Sequence, residues 1–170
     1  MQISMYQASI PTIVRALSSL ADILEKAQAH AEAKKFDASV LVTSRLYPDM
    51  FPLSRQVQLA SDSAKAGMSR LAQVQPASYE DTETTIPELV ARTRKTIAYL
   101  QTLKPEQIDG AEDRTVSWQS RSTTKSMQGL PYLLHHLLPN VFFHVTAAYA
   151  ILRHNGVEVG KQDFLGKPQA

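Results

Sequence analysis

Apolar residues recur every three or four positions in three stretches of this chain. They run almost unbroken through a fourth, and alternate with polar residues in one short run. Over residues 4–34, Ile10, Ile13, Val14, Leu17, Leu20, Ala21 and Leu24 fall on one helical face, with Glu25, Lys26, Glu32, Lys34 and Lys35 beyond or opposite it. Pro11 either kinks the first turns or stands near the helix start. A shorter helix is predicted over 37–46, with Asp37 as its N-cap. Tyr47-Pro48-Asp49 breaks it, because the residue before a proline avoids the helical region. Residues 51–72 regain the helical period through Leu53, Val57, Ala60, Ala64, Met68 and Leu71. After a polar connector, Thr85-Ile86-Pro87-Glu88 reads as a capping box with proline in the first turn, and this helix stops at Lys104-Pro105. The alternating run 114–119 and the polar run 123–127 predict a small hairpin. Residues 132–156, YLLHHLLPNVFFHVTAAYAILRHNG, form the longest apolar run and predict the last long helix, closed at Asn155-Gly156. The tail 157–170, with Gly160, Gly166 and Pro168, is predicted to be irregular.

Four substantial helices, one short helix and a hairpin can hide their apolar faces together only as a bundle. At 170 residues the chain is read as a single domain, 1–170. The formal charge of +2 is spread among both signs, which argues against a nucleic-acid partner. The absence of cysteine excludes disulfides, thiolate nucleophiles and Cys-ligated metals, and fits a cytoplasmic location. The first residues lack the basic start and apolar core of a signal peptide. The 132–156 run carries histidines, Pro139 and Asn140 that are costly in lipid, so it is read as buried in protein and not in a membrane.

That run holds four of the five histidines, His135, His136, His144 and His154. At helical spacing His136, Asn140 and His144 form one row, while His135 points about 100° away. His154, in the last turn, suits the helix C-terminus. Pro139 removes one backbone hydrogen bond and bends the helix within the row. Imidazoles projecting into a bundle core are a standard way to hold a divalent ion, but an amide such as Asn140 is a weak ligand. On the second long helix, Gln58 and Asp62 lie one turn apart and are expected to face the row, Asp62 as a ligand or as the partner orienting His144. The expected ligand pocket is therefore Gln58, Asp62, His136, Asn140 and His144. The bland alternative is that His144 is a satisfied core histidine.

The order of elements resembles the DinB/YfiT-like superfamily of metal-dependent bundles, and Asn140-x-x-x-His144 followed by Leu152-Arg153-His154-Asn155-Gly156 resembles its last-helix motif. Within it, the runs MYQASIPTIVRAL, YPDMFPLSRQVQLASD, EDTETTIPELVAR and LPNVFFHVTAAYAILRHNGVEVGKQDFLG resemble the DUF1993 family. The resemblance implies an all-α, DinB-like up-down four-helix bundle with a short extra helix and a small β-hairpin before the last long helix. It also implies a homodimer and, in metal-binding relatives, three histidines on a divalent ion. Here the second family histidine maps onto His144, the first onto Asn140, and the third falls near Gln58, within one or two residues. No cofactor is therefore expected. The leading expectation is a degenerate metal pocket that binds a small molecule, or does acid–base chemistry through His144 as the catalytic group. The alternatives are a hydrolase or transferase using zinc, nickel or iron on His144 with His136 or Asp62, and a non-enzymatic dimeric interaction protein.

Overall fold

A computed structural model describes residues 3–120 and 122–166. The elements in order are α1 (Met5–Lys34), α2 (Ser39–Thr43), α3 (Leu53–Ala72), α4 (Ile86–Thr102), α5 (Pro105–Ile108), β1 (Thr115–Ser120), β2 (Thr123–Gln128), α6 (Gly129–Tyr132), a π-helical turn (Leu133–Leu137), α7 (Leu138–His154) and α8 (Lys161–Leu165). The four long helices close a ring in which α1 packs on α4 and α7, and α3 packs on α4 and α7. Leu17, Leu20 and Leu24 of α1, Leu53, Val57 and Met68 of α3, Ile86, Leu89 and Leu100 of α4, and Val141, Val145 and Ile151 of α7 meet in one core. Among the described residues no helix is long and apolar enough to cross a membrane.

Contacts between helices give their directions. Glu25 pairs with Arg94, and Glu32 lies with Ile86 and Pro87 along one groove, so α1 and α4 are antiparallel. Asp62 meets Arg92 and Ser69 meets Tyr99, so α3 and α4 are parallel. Gln56 meets His144 and Ser63 meets Asn140, so α3 and α7 are antiparallel. The four long helices therefore run up, down, down and up, with the second and third pointing the same way. The connector 73–85 must therefore return the full length of α3. Extended chain, at about 3.3 Å per residue, is long enough to do so.

Helix ends follow local chemistry. Thr85 and Glu88 form the predicted reciprocal capping box, Thr85 N–H to Glu88 Oε2 at 2.9 Å and Glu88 N–H to Thr85 Oγ1 at 3.4 Å. Ser4 and Gln7 make a second one at the head of α1. Pro11 lies inside α1 on its exposed side, so the Gln7 carbonyl it leaves without a helical donor can reach water. The predicted helix over 37–46 is shorter, Ser39–Thr43, although Asp37 Oδ1 does accept the Ser39 N–H at 2.9 Å. The tail departs from expectation, because residues 161–165 form α8. Gly160 N–H bonds to Asp163, Lys26 Nζ holds Asp163 Oδ1 at 2.6 Å, and Arg15 donates to the Leu165 carbonyl at 2.7 Å. Long-range ties to α1 supply what local propensity lacks; the end of the tail, 167–170, lies outside the described residues.

The hairpin forms in antiparallel register, from Thr115 opposite Gln128 to Ser120 opposite Thr123; Arg121 in its turn lies outside the described residues. Val116 is buried on the face that Trp118 shares, as the two-residue period requires. Gly129 joins the hairpin to α6 with no room for a side chain, since a Cβ there would come within 1.9 Å of the Ala111 carbonyl oxygen.

Candidate functional site

Pro139 shapes the site. It has no N–H to give to the His135 carbonyl, and its ring crowds that carbonyl. The chain answers by widening the preceding turn. Leu138 N–H reaches back five residues to the Leu133 carbonyl, and α7 restarts with Pro139 in its first turn. A π turn acts as a one-residue insertion, so side chains before it are rotated by about 100° relative to those after it. This is why the expected row His136, Asn140, His144 is split. His136 stacks on Trp118 of β1, ring centroids 4.5 Å apart and planes 28° apart, with Tyr132 at 5.4 Å. Asn140 and His144 stay in line and face α3.

On α3 the partner of His144 is Gln56, not Gln58. His144 Nδ1 and Gln56 Oε1 are 2.8 Å apart. The Gln56 amide nitrogen donates to the Phe51 carbonyl at 3.3 Å, so its oxygen is the end that faces the ring. Nδ1 therefore carries the hydrogen, and Nε2 keeps the lone pair. His144 is 9% exposed, and burial, then the charge of Arg55, hold its pKa below the ordinary histidine value. Asn140 donates to Ser63 Oγ at 2.9 Å.

Gln58 and Asp62 point away from His144, because two and six positions beyond Gln56 turn a side chain by about 200° and about 240°. Gln58 donates to Glu83 at 3.0 Å and accepts from Arg55 at 3.2 Å. Asp62 meets Arg92 at 2.9 Å and Lys65 at 3.2 Å. Arg92, 4% exposed, also binds Asp81 and Glu83 at 2.9 Å and the Glu80 carbonyl at 2.9 Å. Arg55 reaches Asp81 as well. This network pins the returning connector to α3 and α4. Burial alone would raise the Glu83 pKa, but the bonds from Arg92 and Gln58 outweigh it and the net shift is downward.

Between α3, the hairpin and the π turn lies a cavity of about 340 Å³. Asp62, His136 and Asn140 line it, together with Ser63, Arg70, Trp118 and Tyr132. Three of the five expected pocket residues thus share one cavity, while His144 and Gln58 do not line it. Gly67 makes the neighbouring helix contact close, since a Cβ on it would stand 2.3 Å from Leu137 Cδ1. His136 is pushed below its ordinary pKa by burial and then by the charges of Arg70 and Lys125. His135 and His154 lie on the surface.

Sequence reasoning did not name Gln56, which lies at the edge of the two-residue window around Gln58, and it missed Ser63, Arg70, Trp118, Tyr132 and Arg92. Two of them carried a signal. Gln56 lies three positions after Leu53 and four before Ala60, and Arg92 lies three after Leu89, so both are polar residues inside an apolar stripe.

The family described as Domain of unknown function (DUF1993) matches residues 5–165. The chain belongs to the DUF1993 family. A crystal structure of a DinB family member from Shewanella denitrificans is similar over 97% of this chain and 93% of that one, at 40% identity and a TM-score of 0.88. No curated protein matches. This DUF1993 protein is therefore DinB-like, and the metal site of that superfamily can be tested against its residues. His144 offers Nε2, with Nδ1–H held as a metal-bound histidine's would be. The other donors do not fit. Gln56 and Asn140 are amides already bonded to Phe51, His144 and Ser63, and among the described residues no group of three or more His, Asp or Glu side chains is placed to hold a metal ion.

Proposed function

We propose that this protein binds a small organic molecule in the cavity between α3, the hairpin and the π turn. The observation that carries the reading is the gathering of Asp62, His136 and Asn140 with Arg70, Trp118 and Tyr132 around a space of about 340 Å³. Small-molecule sites combine aromatic walls with a few placed polar groups, and this cavity has both at the lower end of their size range. The donor set around His144 favours this over metal-dependent hydrolysis or transfer. A second reading keeps His144 as an acid–base group. Its support is the Gln56 bond, which fixes Nδ1–H and leaves a neutral Nε2 lone pair for a proton.

A ligand-observed NMR fragment screen tests the first reading. Hits should perturb the Trp118 indole and His136 ring signals and vanish in Ala66→Phe, since Ala66 also lines the cavity and a ring there would fill it. Fragments that bind only elsewhere would refute it. Metal analysis on the same protein, purified without chelator or a nickel column, should find no stoichiometric ion. Zinc, nickel or iron bound one to one and lost in His144→Ala would establish the metal reading instead.

A further inference from the structure

We propose that the cavity takes a small planar monocarboxylate, gripped by Arg70 and laid against the Trp118–His136 pair. This rests on the reading of the cavity as a ligand site and names the class of its ligand.

The charge balance of the lining carries the argument. Asp62 is the one carboxylate on the cavity wall, and it is matched by Arg92 at 2.9 Å and Lys65 at 3.2 Å. Arg70 has no such match. Its guanidinium donates to Tyr132 Oη at 3.2 Å and, among the described residues, forms no ion pair with a carboxylate. A guanidinium with spare N–H groups beside an aromatic wall is built for a planar carboxylate, which it can hold through two parallel hydrogen bonds. The aromatic wall is preassembled. Trp118 and His136 are stacked, and Tyr132 packs on Trp118 at 5.1 Å, so a flat ligand meets rings that need no reordering. The Asn140 amide and Ser63 hydroxyl give the far wall neutral polar groups.

A dianion fits less well. Asp62, though compensated, is about a third exposed and repels a second negative charge. Two charges bear on His136, Arg70 from α3 and Lys125 from β2; Asp62, paired with Arg92, shares its cavity, and Tyr132 is its titratable neighbour on α6. Arg70 and Lys125 oppose its protonation. An anion seated on Arg70 offsets that field, so by linkage its binding must raise the His136 pKa.

Benzoate is the probe, with benzamide as its neutral counterpart and benzylamine as its cationic one. Trp118 is the only tryptophan, so indole fluorescence reports on this cavity alone. NMR titration of His136 gives the second readout. Benzoate should saturate the fluorescence change and move the His136 pKa upward. Benzamide should bind about tenfold more weakly or worse, as loss of a charge-assisted hydrogen bond demands, and benzylamine more weakly still. Arg70→Gln should lose benzoate by a similar factor, and Arg70→Lys, which keeps the charge without the fork, by less. If Arg70→Gln does not fold, the benzoate-to-benzamide ratio in the unaltered protein decides. Benzamide or benzylamine binding as tightly as benzoate would overturn the carboxylate class while leaving the cavity a ligand site. If no probe moves Trp118 or His136, both readings fall.

Discussion

Replacing Arg92 by methionine tests the claim that one buried guanidinium holds the returning connector in place. The substitution keeps an unbranched apolar stem but deletes contacts to Asp62, Asp81 and Glu83, and a bond to the Glu80 carbonyl. Removing one member of a buried ionic cluster costs about 3–5 kcal/mol, because the remaining charges stay buried and uncompensated. Two of the three carboxylates are discounted here. Asp62 and Asp81 are 34% and 37% exposed, and water will screen them. Glu83, 13% exposed, counts in full. The expected loss is therefore about 2–3 kcal/mol, or roughly 5–10 °C in melting temperature for a domain of this size. Urea unfolding followed by far-UV circular dichroism gives the free energy, and calorimetry the melting shift. The sign of the pH dependence is a stricter test. The folded-state pKa of Glu83 lies below its ordinary value of 4.5. The stability it contributes is thus fully present above pH 4.5 and lost as pH falls through the lower folded value. In Arg92→Met that carboxyl keeps the Gln58 bond but loses the guanidinium that offsets its burial, so the difference between the proteins should be largest near neutrality and shrink in acid. Adding Glu83→Gln to Arg92→Met should recover part of the loss, since it removes the stranded charge. A loss below about 1 kcal/mol, the range of an exposed pair, or one that does not change with pH, would show that the network is a solvated surface cluster.

Three further outcomes follow from the packing. Gly129→Ala should destabilise more than Gly67→Ala in urea unfolding. The first drives a methyl into the Ala111 backbone carbonyl, whereas the second meets the movable end of Leu137, an overpacking worth about 1–3 kcal/mol; equal costs would refute the close hairpin junction. For His144, NMR titration should give a pKa below 6.5, and stability should fall as pH drops from 6.5 through the folded value, because the unfolded chain takes up the proton first. Gln56→Leu should weaken the protein by about 1–3 kcal/mol by stranding Nδ1–H; an unchanged protein would mean that the bond is not formed in solution.

The amino-acid sequence determined the elements. The stripe from Ile10 to Leu24 and the period from Leu53 to Leu71 are local, repeated and apolar, and the Thr85–Glu88 box is a reciprocal bond between residues three apart. Such features are decided by neighbours along the chain. The resemblance carried by residues 132–156 and the other quoted runs also placed the chain in its family. The tertiary structure alone decided which side chains meet. A single π turn forced by Pro139 took His136 out of line with Asn140 and His144 and set it on Trp118, a residue eighteen positions earlier in the chain. The choice of Gln56 over Gln58 turned on the rotation of α3, which is fixed by what it packs against on two sides. The parallel run of α3 and α4, and with it the buried Arg92 network, depends on a connector without periodicity of its own. Even α8 exists because α1 presents Arg15 and Lys26 to it. Contacts across the fold set each of these. Local spacing carries no record of a rotation of about 100°, and that rotation is enough to break up a row of side chains.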